Sequence, residues 1–413
     1  MSLETPAPPI GFGEFVALMA MLTALVSLSI DMILPALPAI GASLAVTRAN
    51  DTQLIVSLLF LGFGAGQLFY GPLSDATGRK PAAYIGLALY LGGTVLALVS
   101  RTLPMMLAGR LLQGLGVAGP RTVTLALVRD KFEGRAMARV MSLVMAVFIL
   151  VPVVAPALGQ AVLAVAEWRA IFGLYLVMAV VTCAWFGWRQ DETLPPSRRV
   201  SFSAGRLAGS AREVLTSRVA VGYTLASGSV FGAFLGYLTC AQQILQEQYA
   251  LGPRFPLYFA LLSIAIGAAS LLSSRLVLGL GMHALVTWAL RGIFAVSVAF
   301  TAITVGAAGQ PALWALMTYL MVSFFGLGLL FGNLNALAMQ PLGHVAGTGS
   351  AIVGGLSMLI SLALGTAIGQ GYDGTAVPLV AGFAVLSGLA SVAAWWAESG
   401  RAPSASPGGA PAA

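Results

Sequence analysis

Gly71-Pro72-Leu73-Ser74-Asp75-Ala76-Thr77-Gly78-Arg79-Lys80 packs turn formers, one acid and two bases into ten residues of a chain in which only 8% of residues are charged. It lies between two apolar segments, about 51–72 and 81–100, each long enough to cross a bilayer. A tight basic turn between membrane-length segments stays on the cytoplasmic side. It therefore fixes the orientation of every segment that follows.

The composition agrees. Of 413 residues, 58% are hydrophobic, more than a soluble domain of this size can hide. Continuous apolar runs without alternation exclude a β-barrel. The fold class is an all-α membrane protein with twelve transmembrane helices and both termini cytoplasmic. The expected spans are about 15–36, 51–72, 81–100, 104–126, 139–161, 169–188, 219–241, 255–274, 286–306, 312–336, 345–368 and 376–397. Of 21 Lys and Arg, fourteen then fall on the cytoplasmic side and four on the periplasmic side, with Arg110, Arg121 and Arg291 inside spans. The formal charge of +7 thus follows topology, and no nucleic-acid partner is expected. No cleavable signal is expected, since residues 1–13 have no basic n-region.

The longest polar segment, 189–218, separates an N-terminal bundle of six helices (1–188) from a C-terminal one (219–398). The Ala/Pro/Gly/Ser-rich stretch 399–413 reads as a disordered cytoplasmic tail. A weak echo of the opening turn recurs at Ser274–His283, at the same place in the second half. Two corresponding six-span halves are the mark of a duplicated transporter with its site at the midplane. Cys183 and Cys240 have no pair-like spacing and read as packing residues; His283 and His344 form no ligand constellation. Neither an HExxH, a paired acid nor a Ser/His arrangement occurs in the spans, so no enzyme is expected.

Ionisable groups inside a membrane are functional candidates by default. Asp31 is the one clear acid. It lies about five residues from the end of span 1, or ~8 Å, and Arg110 about six residues into span 4, or ~9 Å. The two can meet at one level. An aspartate that pairs with arginine stays charged, whereas one left in apolar surroundings favours its neutral form. Alternation between these states makes Asp31 and Arg110 a proton-coupling pair. Arg121 and Arg291 lie nearer the cytoplasmic ends, where snorkelling explains them. Gln113, Asn333 and Asn335 need partners or a wet cavity, and Phe231, Tyr237 and Tyr319 could wall one. These six are the candidate substrate-binding residues.

The turn resembles the signature between spans 2 and 3 of the major facilitator superfamily: Gly71-x-Leu73-x-Asp75-x-x-Gly78-Arg79-Lys80, with Ala76 where an Arg usually follows the Asp. Arg110-x-x-Gln113-Gly114-x-Gly116 is similar to that family's proton-coupling motif. Asp31-Met32-x-Leu34-Pro35-x-Leu37-Pro38, Val128-Arg129-Asp130, Glu192-Thr193-Leu194 and Gly343-His344-x-Ala346-Gly347-Thr348 resemble the bicyclomycin-resistance (Bcr/CflA-like) drug:proton antiporters. The span 5 antiporter pattern is degenerate, Val151-x-x-x-Ala155-Pro156-x-x-Gly159-Gln160, and Pro156 implies a bend there.

The resemblance implies a rocker-switch exporter of drugs or drug-like metabolites, driven by protons without a cofactor. Its partners would be small amphipathic molecules, protons and the lipid bilayer, and the protein would be a monomer in a bacterial inner membrane. Export of one physiological solute, such as an amino-acid derivative or nucleoside, is the alternative; uptake by symport is another. The resemblance also implies a gate of Gly71, Asp75, Gly78, Arg79, Lys80 and Asp130. Asp75 would sit near the start of span 11, at about Gly347, and Arg79 would pair with Asp130. This contact would latch the cytoplasmic side in the outward-facing state.

Overall fold

Whether so apolar a chain forms twelve helices or fewer depends on how its prolines and glycines break the runs. The computed structural model describes residues 10–200 and 203–399, so the tail expected at 399–413 lies, apart from Ser399, outside the described residues. Among the described residues, twelve helices are long and apolar enough to cross a membrane. They are span 1 Phe12–Ser43, span 2 Ala49–Thr77, span 3 Arg79–Leu98, span 4 Leu103–Lys131, span 5 Gly134–Val165 and span 6 Arg169–Arg189. Span 7 Arg218–Gln248, span 8 Gly252–Leu280, span 9 Met282–Gly306, span 10 Leu313–Val345, span 11 Gly347–Gln370 and span 12 Val377–Glu398 follow.

Most spans run longer than the sequence suggests, and span 1 shows why. Its regular helix ends at Asp31, a 3-10 turn follows at Leu34–Ala36, and a second helix, Leu37–Ser43, completes the crossing. Pro35 has no N–H, and its ring crowds the carbonyl four residues back, which is that of Asp31. The α-ladder therefore stops at the one acid that is buried among the described residues. Span 5 packs into this break at Gly159, where any Cβ would strike the Met32 carbonyl oxygen.

The turn from span 2 to span 3 is a single residue. Gly78 has φ +107°, a conformation closed to other residue types at little cost. The segment between spans 6 and 7 is not a plain loop: it contains a helix, Ala204–Thr216. Gly205 and Gly209 inside that helix weaken its signal in the sequence.

The halves meet along two lines. Span 2 packs on span 11, with Gly64 against Met358 and Leu68 against Gly355, and span 5 packs on span 8, with Ile149 against Gly267. Small residues opposite large ones let helices approach closely where lipid supplies no hydrophobic drive. Large apolar side chains lie exposed on the outside, among them Leu278 at 88%, and Trp188, Trp314 and Trp395 sit exposed near span ends. Tryptophans at both ends of the spans suit the two membrane–water interfaces.

Candidate functional site

A cavity of about 760 Å³ lies between the halves. From span 1 it is lined by Asp31, from spans 4 and 5 by Arg121 and Phe148, and from spans 7 and 10 by Phe231, Phe234 and Phe331. The lining continues to Asp75, Arg129 and Thr348 at the face that carries the 71–80 turn, here the loop face. The first half contributes the charged groups deep in the cavity, and the second contributes aromatic rings. Phe231 and Phe331 lie 4.8 Å apart, and Phe234 lies 5.7 Å from Phe331.

Asp31 and Arg110 meet at one level, yet they do not pair. Arg110 is fully buried, and its guanidinium donates to the Ile55 carbonyl (2.9 Å), the Ser29 carbonyl (2.8 Å) and Gln113 Oε1 (2.5 Å). Arg110 therefore reaches span 1 on the side of Ser29. Asp31 is two residues further, roughly 200° round the helix, and faces the cavity instead. No hydrogen bond or ion pair reaches its carboxylate among the described residues. Three neutral acceptors satisfy Arg110, so that it locks spans 1, 2 and 4 together without using the acid.

The end opposite the loop face is closed by a seal of amides. Asn50 Nδ2 donates to the Gln370 carbonyl (3.1 Å) and the Tyr372 carbonyl (2.9 Å), and Gln370 Nε2 donates back to the Asn50 carbonyl (2.8 Å). Gln243 Nε2 donates to Asn50 Oδ1 (3.0 Å), and the side chains of Gln53 and Gln243 are bonded to each other. These bonds join the start of span 2 to spans 7 and 11, across the two halves. Burial, with lesser help from Cys240, Glu247 and Asp373, pushes the Tyr372 hydroxyl up to about 12.

At the loop face the bonds of the 71–80 turn stay within the first half and the start of the segment that follows it, and none reaches the second bundle among the described residues. Arg79 Nε donates to Asp130 Oδ2 (2.9 Å), and its Nη1 donates to Asp75 Oδ1 (2.5 Å) and Ser74 Oγ (2.8 Å). Thr193 donates to the same Asp130 oxygen at 2.6 Å. Glu192 accepts from the backbone N–H of Arg79 and of Lys80, both at 2.9 Å, and so caps the first turn of span 3, whose free N–H groups favour an anion. Partial burial disfavours the charged carboxylate, but the N–H groups of Leu194, Arg79 and Lys80 and the charge of Arg199 outweigh it and hold Glu192 below its usual range. Lys80 Nζ donates to the Gly187 carbonyl (3.1 Å).

The expected Arg79–Asp130 pair is therefore present. The expected approach of Asp75 to span 11 is not made in this arrangement: its carboxylate bonds Arg79 and no group of span 11 among the described residues. The cavity lies open between them, lined on one side by Asp75 and on the other by Gly347 and Ser350. The helix Ala204–Thr216 reaches span 11 instead, through Ser210 to Thr348 (2.9 Å), while its Glu213 pairs with His344.

Of the six candidate wall residues, Phe231, Asn333 and Asn335 line the cavity. Asn333 also donates to Ser273 Oγ at 2.8 Å. The other three are corrected. Gln113 is consumed between Arg110 and Thr94 (2.9 Å). Tyr319 lies behind the wall, stacked on Phe300 at 4.5 Å and bonded to Ser297 at 3.0 Å. Tyr237 packs edge-on against Phe324 at 4.7 Å and is also set back from the cavity, though within electrostatic reach of Asp31.

Arg121 is a further correction: it lines the cavity and does not snorkel, with its guanidinium 4.9 Å from the centroid of the Phe148 ring. The spacing holds the signal. Eleven residues are close to three full turns, which puts Arg121 on the same inward side of span 4 as Arg110. Arg291, by contrast, is exposed. Nothing local in the sequence points to Glu192 as the cap of a helix that begins 113 residues earlier.

A family model described as Major Facilitator Superfamily matches residues 19–366. The "Uncharacterized MFS-type transporter YdgK" of Bacillus subtilis is 29% identical over 379 residues, 91% of this chain and 93% of that protein. A "Bicyclomycin resistance protein homolog" of Haemophilus influenzae is 25% identical over 382 residues, 89% and 91% of the two chains. "Multidrug resistance protein MdtL" of Escherichia coli is 35% identical over 174 residues, 42% of this chain and 44% of that one. Among solved structures, a peptide transporter POT superposes with a TM-score of 0.74 at 13% identity, covering 95% of this chain and 96% of that chain. The xylose transporter XylE of Escherichia coli gives 0.68 at 11%, covering 92% and 95%. These two likenesses speak for the fold alone. Twelve spans, a cavity between two sets of six and a family match across most of the sequence lead to one statement: the chain is a multi-pass membrane protein that belongs to the Major Facilitator Superfamily, a family of transporters.

Proposed function

We propose that the protein exports small drug-like amphipathic molecules across a bacterial inner membrane in exchange for protons, as a monomer and without a cofactor. The observation that carries this reading is Asp31: a carboxylate at the cavity wall, at a break in span 1, with no cation or donor bonded to it among the described residues. Such a group can take a proton from one side and lose it to the other as the cavity changes face. The aromatic wall opposite supplies apolar contact of low directional demand, which suits varied substrates. The resistance names of two relatives support the direction, export. With the loop face inside, the arrangement described is inward-facing, ready to load from the cytoplasm.

The two halves would rock about the lines between spans 2 and 11 and between spans 5 and 8. Loading requires Asp31 to be without its proton. Protonation from the periplasmic side after the halves rock would remove the charge and favour return.

Everted vesicles energised by respiration test this, with ethidium as probe. We expect ethidium to be taken up and to draw protons out of the vesicles. Asp31→Asn should abolish that proton movement while the protein stays in the membrane. Undiminished ethidium-dependent proton movement in Asp31→Asn would overturn the role of Asp31.

A further inference from the structure

The cavity holds a charged group for which proton exchange gives no role. Arg121 lines it beside Phe148, roughly three helical turns beyond Arg110. Its Nη1 is buried and has no hydrogen-bond partner among the described residues. The other acids at the cavity surface do not serve it: Asp75 and Asp130 are both bound to Arg79, and Asp31 makes no contact with it.

A buried guanidinium nitrogen without an acceptor is costly, and the cost is removed when the side chain turns so that an anion in the cavity supplies the missing oxygen. The guanidinium lies over the ring of Phe148, and its own planarity sets its N–H groups in a fixed fork. Across the cavity stand Phe231, Phe234 and Phe331, a surface for an apolar body.

We propose that Arg121 is the anchor for an anionic head group, and that the molecules this protein carries include amphipaths bearing a carboxylate. The proposal rests on the exporter reading above and names the substrate class within it. The carboxylate takes two N–H bonds from Arg121, and the apolar body lies on the rings of spans 7 and 10. The acid and the base of the cavity then have separate tasks: Asp31 for the proton and Arg121 for the cargo.

The test is a binding measurement on full-length protein purified in detergent, where no gradient exists. Thermal-unfolding titrations with 1-pyrenebutyrate and 1-pyrenebutanol compare one apolar body with and without the charge. The carboxylate should bind wild type about tenfold more tightly, the scale of one charge-assisted pair. Arg121→Gln should bring the two probes to within about twofold, and Arg121→Lys, which keeps the charge without the planar fork, should keep only part of the preference. Equal binding of the two probes by wild type, which needs no variant to fold, would overturn the proposal. So would an undiminished preference in Arg121→Gln. Failure of the vesicle experiment with the head-group preference intact would remove the exporter reading and leave the anion site standing.

Discussion

Arg79 donates to Asp130 at 2.9 Å and to Asp75 at 2.5 Å, so one guanidinium is shared by two carboxylates of the same half of the molecule. The side chain of Asp130 is 22% exposed, whereas that of Asp75 is 54% exposed. In the gate that the resemblance implies, Asp75 would be the arm of this trio that lets go and reaches the start of span 11 as the loop face closes. Arg79→Ala should leave Asp130 without its cation and lower the melting temperature, at a cost of about 1–3 kcal/mol for a half-covered pair. Transport should slow by about tenfold, with probe binding within about twofold of wild type. Rates of ethidium uptake alongside binding titrations check this, and an unchanged rate would remove the latch.

Glu192 gives a pH dependence. Its carboxyl lies below the ordinary glutamate value of 4.5, so the folded state binds the proton less readily than the unfolded chain. Its contribution to stability is full above that ordinary value and is lost as pH falls through the folded one. Glu192→Gln should therefore lower the melting temperature at pH 7, with a cap worth about 1 kcal/mol. The gap between variant and wild type should narrow once the pH drops below 4.5. Paired melting curves from pH 7 downward measure it, and a gap that stays constant would show that the charge of Glu192 is not what stabilises span 3.

The amide seal can be pinned. Asn50 and Gln370 exchange hydrogen bonds of 3.1 and 2.8 Å across the halves. With Asn50→Cys and Gln370→Cys together, a short bifunctional thiol reagent should join them and hold the cavity open to the loop face. Ethidium transport should fall to background and recover on reduction of a cleavable linker. Each single variant with the reagent should retain transport. Full activity of the cross-linked double variant would mean that this end need not open.

Much of the fold was legible because a bilayer asks a simple question of a sequence: whether some twenty residues in a row avoid charge. The alternation of Arg-rich and Arg-poor ends could be read by the same token. The Arg79–Asp130 pair followed from the resemblance of the turn at 71–80. What could not be read was which way a side chain turns from its helix. Asp31 and Arg110 were placed at one level, but the angle between Ser29 and Asp31 on span 1 decides that Arg110 takes a carbonyl and not the acid. Tyr319 and Tyr237 failed as wall residues for the same reason, because an aromatic in a packed bundle shows no outward sign of which side it faces. The helix Ala204–Thr216 was hidden by its own polarity and glycines.

The two ends of the cavity differ in chemistry. One is ringed by Arg79, Asp75, Asp130 and Arg129, and the other is bonded by Asn50, Gln53, Gln243 and Gln370. Attraction between exposed charges weakens as salt rises, with a range of about 8 Å at physiological ionic strength. Hydrogen bonds between neutral amides carry no such dependence and give up only about 0.5–1.5 kcal/mol each when exchanged for water. With the loop face inside, the charged contacts meet a cytoplasm whose ionic strength the cell regulates, and the amide seal meets surroundings it does not. A gate built this way would swing alike in pond water and in brine.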